Sequence, residues 1–144
     1  TLFVDETGRV LRRKRDHRFD FRVLLFYGCY IPSTATFLRR RIIDAGHLLD
    51  VRYRNCMDFE YYVRLSAAGY QFAYVPVALA AFRWHGKNIS TQFVARRRAE
   101  RLAVQQDYLR RRGLGWLAHR PVLAVLARLY QAKRLGLRLA THRE

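Results

Sequence analysis

A chain of 144 residues with 51% hydrophobic and 14% aromatic side chains and only three prolines has enough apolar surface to fold, which excludes a disordered polymer. Its 28 basic residues against 11 acidic ones give a net charge of +17, almost all of it from arginine. A field of that sign attracts phosphate, whether in a nucleotide, a nucleic acid or an anionic lipid headgroup, and charge alone does not choose among them.

In chain order, Thr1 to Leu11 reads as a hairpin: Leu2-Phe3-Val4, a turn at Asp5-Glu6-Thr7-Gly8, then Val10-Leu11. The basic stretch Arg12-Arg13-Lys14-Arg15 is expected to be a solvated loop. Phe19 to Tyr27 has helical spacing and stops at Gly28. Cys29 to Leu38 reads as extended, beginning its β-branched run at Pro32-Ser33-Thr34, and Arg39 to Ala45 as a short helix closed by Gly46.

The next helix spans Asp58 to Ala68, with Phe59, Val63 and Ala67 on one face and Gly69 at its end. Asn55 is the expected N-cap, which puts Asp58 in the first turn, where the helix dipole favours an ionised carboxylate. Glu60 and Arg64, four apart, can pair on the helix surface.

Gln71 to Val75 and Ala78 to Trp84 read as strands on either side of Pro76. Beyond Ser90 the chain is helical in character. Ser90 or Thr91 caps a long basic helix ending near Gly113, and Pro121 opens a last helix reaching about Leu139. That helix carries Val122, Val125, Leu126 and Leu129 on one side, so it can dock on its own domain or lie on an anionic membrane surface. Docking is the expectation.

Cys29 and Cys56 form no CxxC or metal pattern and are expected as free thiols in a reducing compartment. Thr1 to Val10 has no apolar signal region, and the run Tyr74 to Phe82 is far short of the roughly 18–20 residues that a spanning helix needs.

Two segments can carry chemistry. A carboxylate at a helix start, here Asp58, can serve as a general base, although capping is the commoner role for a lone acid there. His85 stands just beyond the last strand, and with Arg83 two residues before it and Lys87, Asn88 and Ser90 after it combines guanidinium, imidazole and hydroxyl groups. Such a loop can bind a pyrophosphate, and the imidazole can ligate a divalent metal; a polar surface loop is the plainer alternative.

The ordered set Pro32-Ser33, Phe37-Leu38-Arg39-Arg40, Gly46-His47-Leu48-Leu49, Met57-Asp58-Phe59-Glu60-Tyr61-Tyr62-Val63-Arg64, Gly69-Tyr70-Gln71-Phe72-Ala73-Tyr74-Val75-Pro76 and Phe82-Arg83-Trp84-His85 forms a pattern. From Ile31 to Ser90 the chain resembles the C-terminal half of the catalytic domain of family 2 glycosyltransferases, of the GT-A fold. The resemblance implies an α/β chain, part of a GT-A mixed sheet with flanking helices. Residues 1–90 would be the acceptor-side part of that domain and 91–144 a basic C-terminal helical extension.

By the same resemblance Asp58 is the catalytic base, Arg83 and His85 belong to the loop over the diphosphate, and Ser90 adds a phosphate contact. Ser33, in the Pro32–Thr34 segment on the acceptor side, and Glu60 are substrate-binding candidates. His85 is a candidate ligand for a divalent metal, Mg or Mn. Met57 stands where the family carries an acid. The nucleotide-binding βαβ half and the metal-holding Asp-x-Asp motif do not appear in the chain, so the resemblance implies a portion of a longer enzyme.

Its partners would be a nucleotide-sugar donor and a glycan or lipid-linked acceptor, in cell-envelope polysaccharide or glycolipid synthesis. The location implied is cytoplasmic, peripheral on the inner face of a membrane that draws in the basic helices. A basic nucleic-acid-binding module is the alternative that the charge permits, though no helix-turn-helix, zinc-finger or RNP-type signature accompanies it. A non-catalytic interaction domain derived from a transferase is the third reading.

Overall fold

One carboxylate closes the first turn. Asp5 Oδ1 accepts the backbone N–H groups of Thr7 and Arg9, each at 2.9 Å, and the Thr7 hydroxyl at 2.7 Å, while Gly8 supplies the left-handed step at φ 91°. The computed structural model describes residues 1–85, 88 and 92–141. Strands β1 (Leu2–Val4) and β2 (Val10–Arg13) pair antiparallel as the hairpin predicts, with Leu2 opposite Arg13 and Phe3 opposite Arg12. Arg12 and Arg13 are therefore strand where a loop was expected, while Lys14 and Arg15 lie beyond it. The Lys14 N–H, bonded to the Thr1 carbonyl at 2.8 Å, extends the ladder by one residue.

Strand β3 (Ala81–Arg83) adds in parallel to the other edge of β1, giving the order β2-β1-β3. It is shorter than the expected Ala78–Trp84. Gln71 to Val75 alternates in exposure like a strand, with Phe72 and Tyr74 half-buried, but does not join the sheet. Phe72 is fixed by its side chain instead, stacked on Phe19 at 4.2 Å and edge-on to Tyr62 at 5.9 Å.

Helix α1 (Phe21–Tyr27) starts where Asp20 Oδ1 accepts the Val23 N–H at 2.9 Å and stops at Gly28, whose φ of 124° suits glycine. Cys29 to Leu38 is not extended throughout. Pro32 opens a one-turn 3-10 helix at Ser33–Ala35, with its carbonyl accepting both the Ala35 N–H and the Thr36 hydroxyl. The short helix α2 (Arg40–Asp44) follows.

In α3 (Met57–Ala67) Phe59 and Val63 are buried as their spacing predicts, but Ala67 is exposed and Tyr61, Tyr62 and Leu65 are buried as well. The helix is covered on more than one face because its tyrosines reach loops: Tyr61 Oη donates to the His47 carbonyl at 2.9 Å and Tyr62 Oη to the Thr36 hydroxyl at 3.0 Å. Phe59, Leu24, Leu65 and Leu109 are the largest fully buried side chains. Each contributes about 1.5–3 kcal/mol by leaving water.

Helix α4 (Val94–Arg111) buries Val104, Gln105 and Leu109. The Gln105 amide donates to the Leu25 carbonyl at 2.6 Å, which fixes α4 against α1. Its expected caps, Ser90 and Thr91, lie outside the described residues. Helix α5 (Arg120–Thr141) docks along α1: Tyr130 stacks on Phe26 at 5.0 Å, Arg134 bonds Asp16 at 2.7 Å and Lys133 pairs with Asp20. Its other face leaves Val125, Leu129, Leu135 and Leu139 exposed.

The whole is a mixed α/β arrangement: a small mixed three-stranded sheet, with helices α1, α3, α4 and α5 sharing one core. Among the described residues no helix is long and apolar enough to cross a membrane.

Candidate functional site

Asp58 sits in the first turn of α3, but Asn55 does not cap that helix. Cys56 is the N-cap residue and makes no side-chain cap bond. The donors at this helix start are taken from a distance: Glu100, in α4, accepts the N–H groups of Arg54 at 3.3 Å, Asn55 at 2.8 Å and Cys56 at 3.0 Å. Arg96 steadies that carboxylate at 2.8 Å. A residue 44 positions away from Cys56 thus holds the turn that presents Asp58.

The Asp58 carboxylate accepts the Phe59 N–H at 2.7 Å through Oδ1, and the Cys29 thiol stands 3.7 Å from Oδ2. Burial pushes the Asp58 pKa above the ordinary carboxylate value, against the pull of the Phe59 N–H, the Cys29 thiol and Lys14. The shift runs opposite to the pull of the helix dipole, because desolvation outweighs the local donors. The Cys29 thiol is itself pushed well up, by burial and then by the Asp58 charge. Both cysteines are free.

Asp58 lines a cavity of about 580 Å³. Ser33, Pro32 and Thr34 line it too, so the structure brings the catalytic candidate and one substrate-binding candidate together. Phe3, Phe82 and Trp84 supply an aromatic wall, with ring centroids 5.5 to 6.3 Å apart.

The other sequence candidates lie elsewhere. Arg83 is exposed in β3 and does not line the cavity, although its neighbours Phe82 and Trp84 do. His85 is half-buried just beyond β3 and outside the cavity lining; its N–H donates to Asn88 Oδ1 at 2.7 Å, and the Asn88 amide donates to the Arg83 carbonyl at 3.2 Å. Glu60 is engaged by Arg64 at 2.7 and 3.1 Å, and Arg64 also donates to the Leu48 carbonyl at 2.6 Å, so this pair secures the loop before α3. Ser90 lies outside the described residues.

Among the described residues no group of three or more His, Cys, Asp or Glu side chains is placed to hold a metal ion.

Three cations that sequence reasoning passed over also line the cavity: Arg12, Lys14 and Arg97. Arg12 and Lys14 are two apart, so extending the strand period of β2 past Leu11 would have placed them on one face. Arg97 and Glu100 carry no local signal, since α4 reaches the site only through tertiary packing. Comparison with protein-family models, curated proteins and solved structures finds no match to this chain.

Proposed function

We propose that this chain is the acceptor-side part of an inverting glycosyltransferase of the GT-A fold, which moves a sugar from a nucleotide-diphosphate sugar to an acceptor hydroxyl in cell-envelope polysaccharide or glycolipid synthesis. The observation that carries the reading is that Asp58 and the Pro32–Thr34 turn, far apart in sequence, line one cavity. The ordered motifs from Ile31 to Ser90 supply the reaction class.

In such a transfer the acceptor oxygen bonds to the anomeric carbon as that carbon's bond to the diphosphate oxygen breaks. The electron pair leaves with the diphosphate, and Asp58 takes the hydroxyl proton. A carboxylate whose burial raises its proton affinity is a better base near neutral pH than a solvated one. Ser33 and Thr34 offer hydroxyls that can orient the acceptor. Arg83, His85 and Ser90 remain the candidates for the loop over the diphosphate.

The location that fits this role is the cytoplasmic face of a membrane, with α5 as the contact. Its inner face is occupied by α1, while Val125, Leu129, Leu135 and Leu139 are 57–60% exposed beside Arg128. A chain of charge +17 repels its own copies and is drawn to anionic lipid. This favours lipid over a second copy as the occupant of that face.

The test of the reaction class is turnover of a panel of nucleotide-diphosphate sugars by the intact protein that carries this chain. Release of nucleoside diphosphate, with a product of inverted anomeric configuration, is expected for at least one donor. Failure with every donor, or retention of configuration, contradicts the proposal.

A further inference from the structure

The cavity beside Asp58 has an excess of positive charge that the transfer step above does not use. Among the described residues that line it, Asp58 is the single carboxylate, against Arg12, Lys14 and Arg97. These three come from separate places: strand β2, the residue just after it, and helix α4.

Arg12 and Arg97 are exposed, but Lys14 is not a solvated side chain. The Lys14 ammonium is half-buried, donates to the Tyr30 carbonyl at 2.6 Å, and pairs with Asp16 at 3.6 Å. Asp16 is shared, because Arg134 holds both its oxygens at 2.7 and 2.9 Å. One carboxylate thus serves two cations. Burial lowers the Lys14 pKa, against the pull of Asp16, which exceeds the opposing charge of Arg134. Arg12 is held in place as well, its guanidinium 4.1 Å from the centroid of the Phe3 ring, which orients a planar fork at little further entropic cost.

We infer that Arg12, Lys14 and Arg97 bind a diphosphate group in this cavity. Guanidinium forks match phosphate oxygens in pairs, and an ammonium adds a third, less directional contact. The Ser33 and Thr34 hydroxyls and the Trp84 face then meet whatever ring or chain the diphosphate carries. This deepens the transferase reading and rests on it for the source of the group: the diphosphate of a nucleotide-sugar donor, or that of a lipid-linked acceptor. Binding itself depends only on the three cations.

The test uses the Trp116→Phe form of the chain, which leaves Trp84, in the cavity wall, as the one indole of the two that the sequence holds. Inorganic pyrophosphate titrated at constant physiological ionic strength should change Trp84 emission saturably. Arg12→Gln and Arg97→Gln should each weaken binding about 10-fold, as loss of a charged hydrogen bond does. Arg98→Gln removes the same charge from the separate groove between α4 and α5, and should leave affinity within about twofold. Circular dichroism checks that each variant is folded, and Arg97, exposed on α4, covers the case in which Arg12→Gln is not.

A linear response without saturation, or equal weakening by all three variants, overturns the inference. Competition by UDP and by geranyl diphosphate separates the two sources: the tighter competitor marks the donor or the lipid acceptor, and either result upholds the site. Asp58→Asn should bind pyrophosphate at least as well as the parent. If that variant keeps both binding and sugar transfer, the base assignment fails while the anion site stands.

Discussion

Glu100 accepts the backbone N–H of Cys56 at 3.0 Å, across 44 positions of sequence. Together with the Asn55 and Arg54 contacts this makes one side chain of α4 the anchor for the helix start that carries Asp58.

Replacing Glu100 by Gln should therefore weaken the fold by about 1–2 kcal/mol at neutral pH. Burial pushes the Glu100 pKa up, but the Asn55 N–H and the Arg96 guanidinium outweigh it and hold it below the usual range. A depressed acid contributes stability above its unfolded pKa and loses it as pH falls through the folded one. Urea titrations at pH 7 and at pH 3 should show a smaller Glu100→Gln deficit at the second. An equal deficit at both would contradict the anchor.

Asp58 has the opposite sign. Its pKa is raised in the fold, so its contribution favours folding only below the unfolded carboxylate pKa and is lost as pH rises through the folded value. At pH 7 the buried carboxylate costs stability, and Asp58→Asn should gain on the order of 1 kcal/mol, as substitutions at strained functional sites often do. Thermal denaturation reads this directly. A Tm at pH 7 below that of the parent chain would contradict it.

Gly28 ends α1 at φ 124°, and a Cβ there would come 3.1 Å from Arg101 Nη1. That guanidinium donates to the Tyr27 carbonyl at 2.9 Å, so it cannot withdraw without losing a bond. Gly28→Ala should cost about 1–3 kcal/mol, seen as a lowered denaturation midpoint with unchanged slope. A neutral result would mean that the turn relaxes freely.

The outward face of α5 makes a separate prediction. The chain should sediment with phosphatidylglycerol vesicles and not with phosphatidylcholine, and Leu129→Glu with Leu135→Glu should reduce this binding at least 10-fold through the lost burial of two leucines. Undiminished binding would contradict lipid contact by this face. A dimer that the same pair dissociates would assign the face to a second copy of the chain.

Much of the fold was legible because its signals are local. The Asp5 to Gly8 turn, the stops at Gly28 and Gly69, and Pro121 in the first turn of α5 all act within a few residues. What was missed depends on pairing. Gln71 to Val75 alternates like a strand, but its Phe72 packs on Phe19 and Tyr62 and the segment does not join the sheet. In the site, Asp58 and Ser33 were readable from motif order. Arg97 and Glu100 were not, since only the packing of α4 against the start of α3 brings them there. Arg12 and Lys14 were hidden by their charge, which suggested a loop where the two-residue strand period persists.

The most direct test of the central claim is sugar transfer by Asp58→Asn in the intact protein, with the donor that the parent turns over. Loss of the general base should lower kcat by about 10²–10⁴-fold, in a variant at least as stable as the parent and with pyrophosphate binding intact. Transfer at the parent rate would contradict the account.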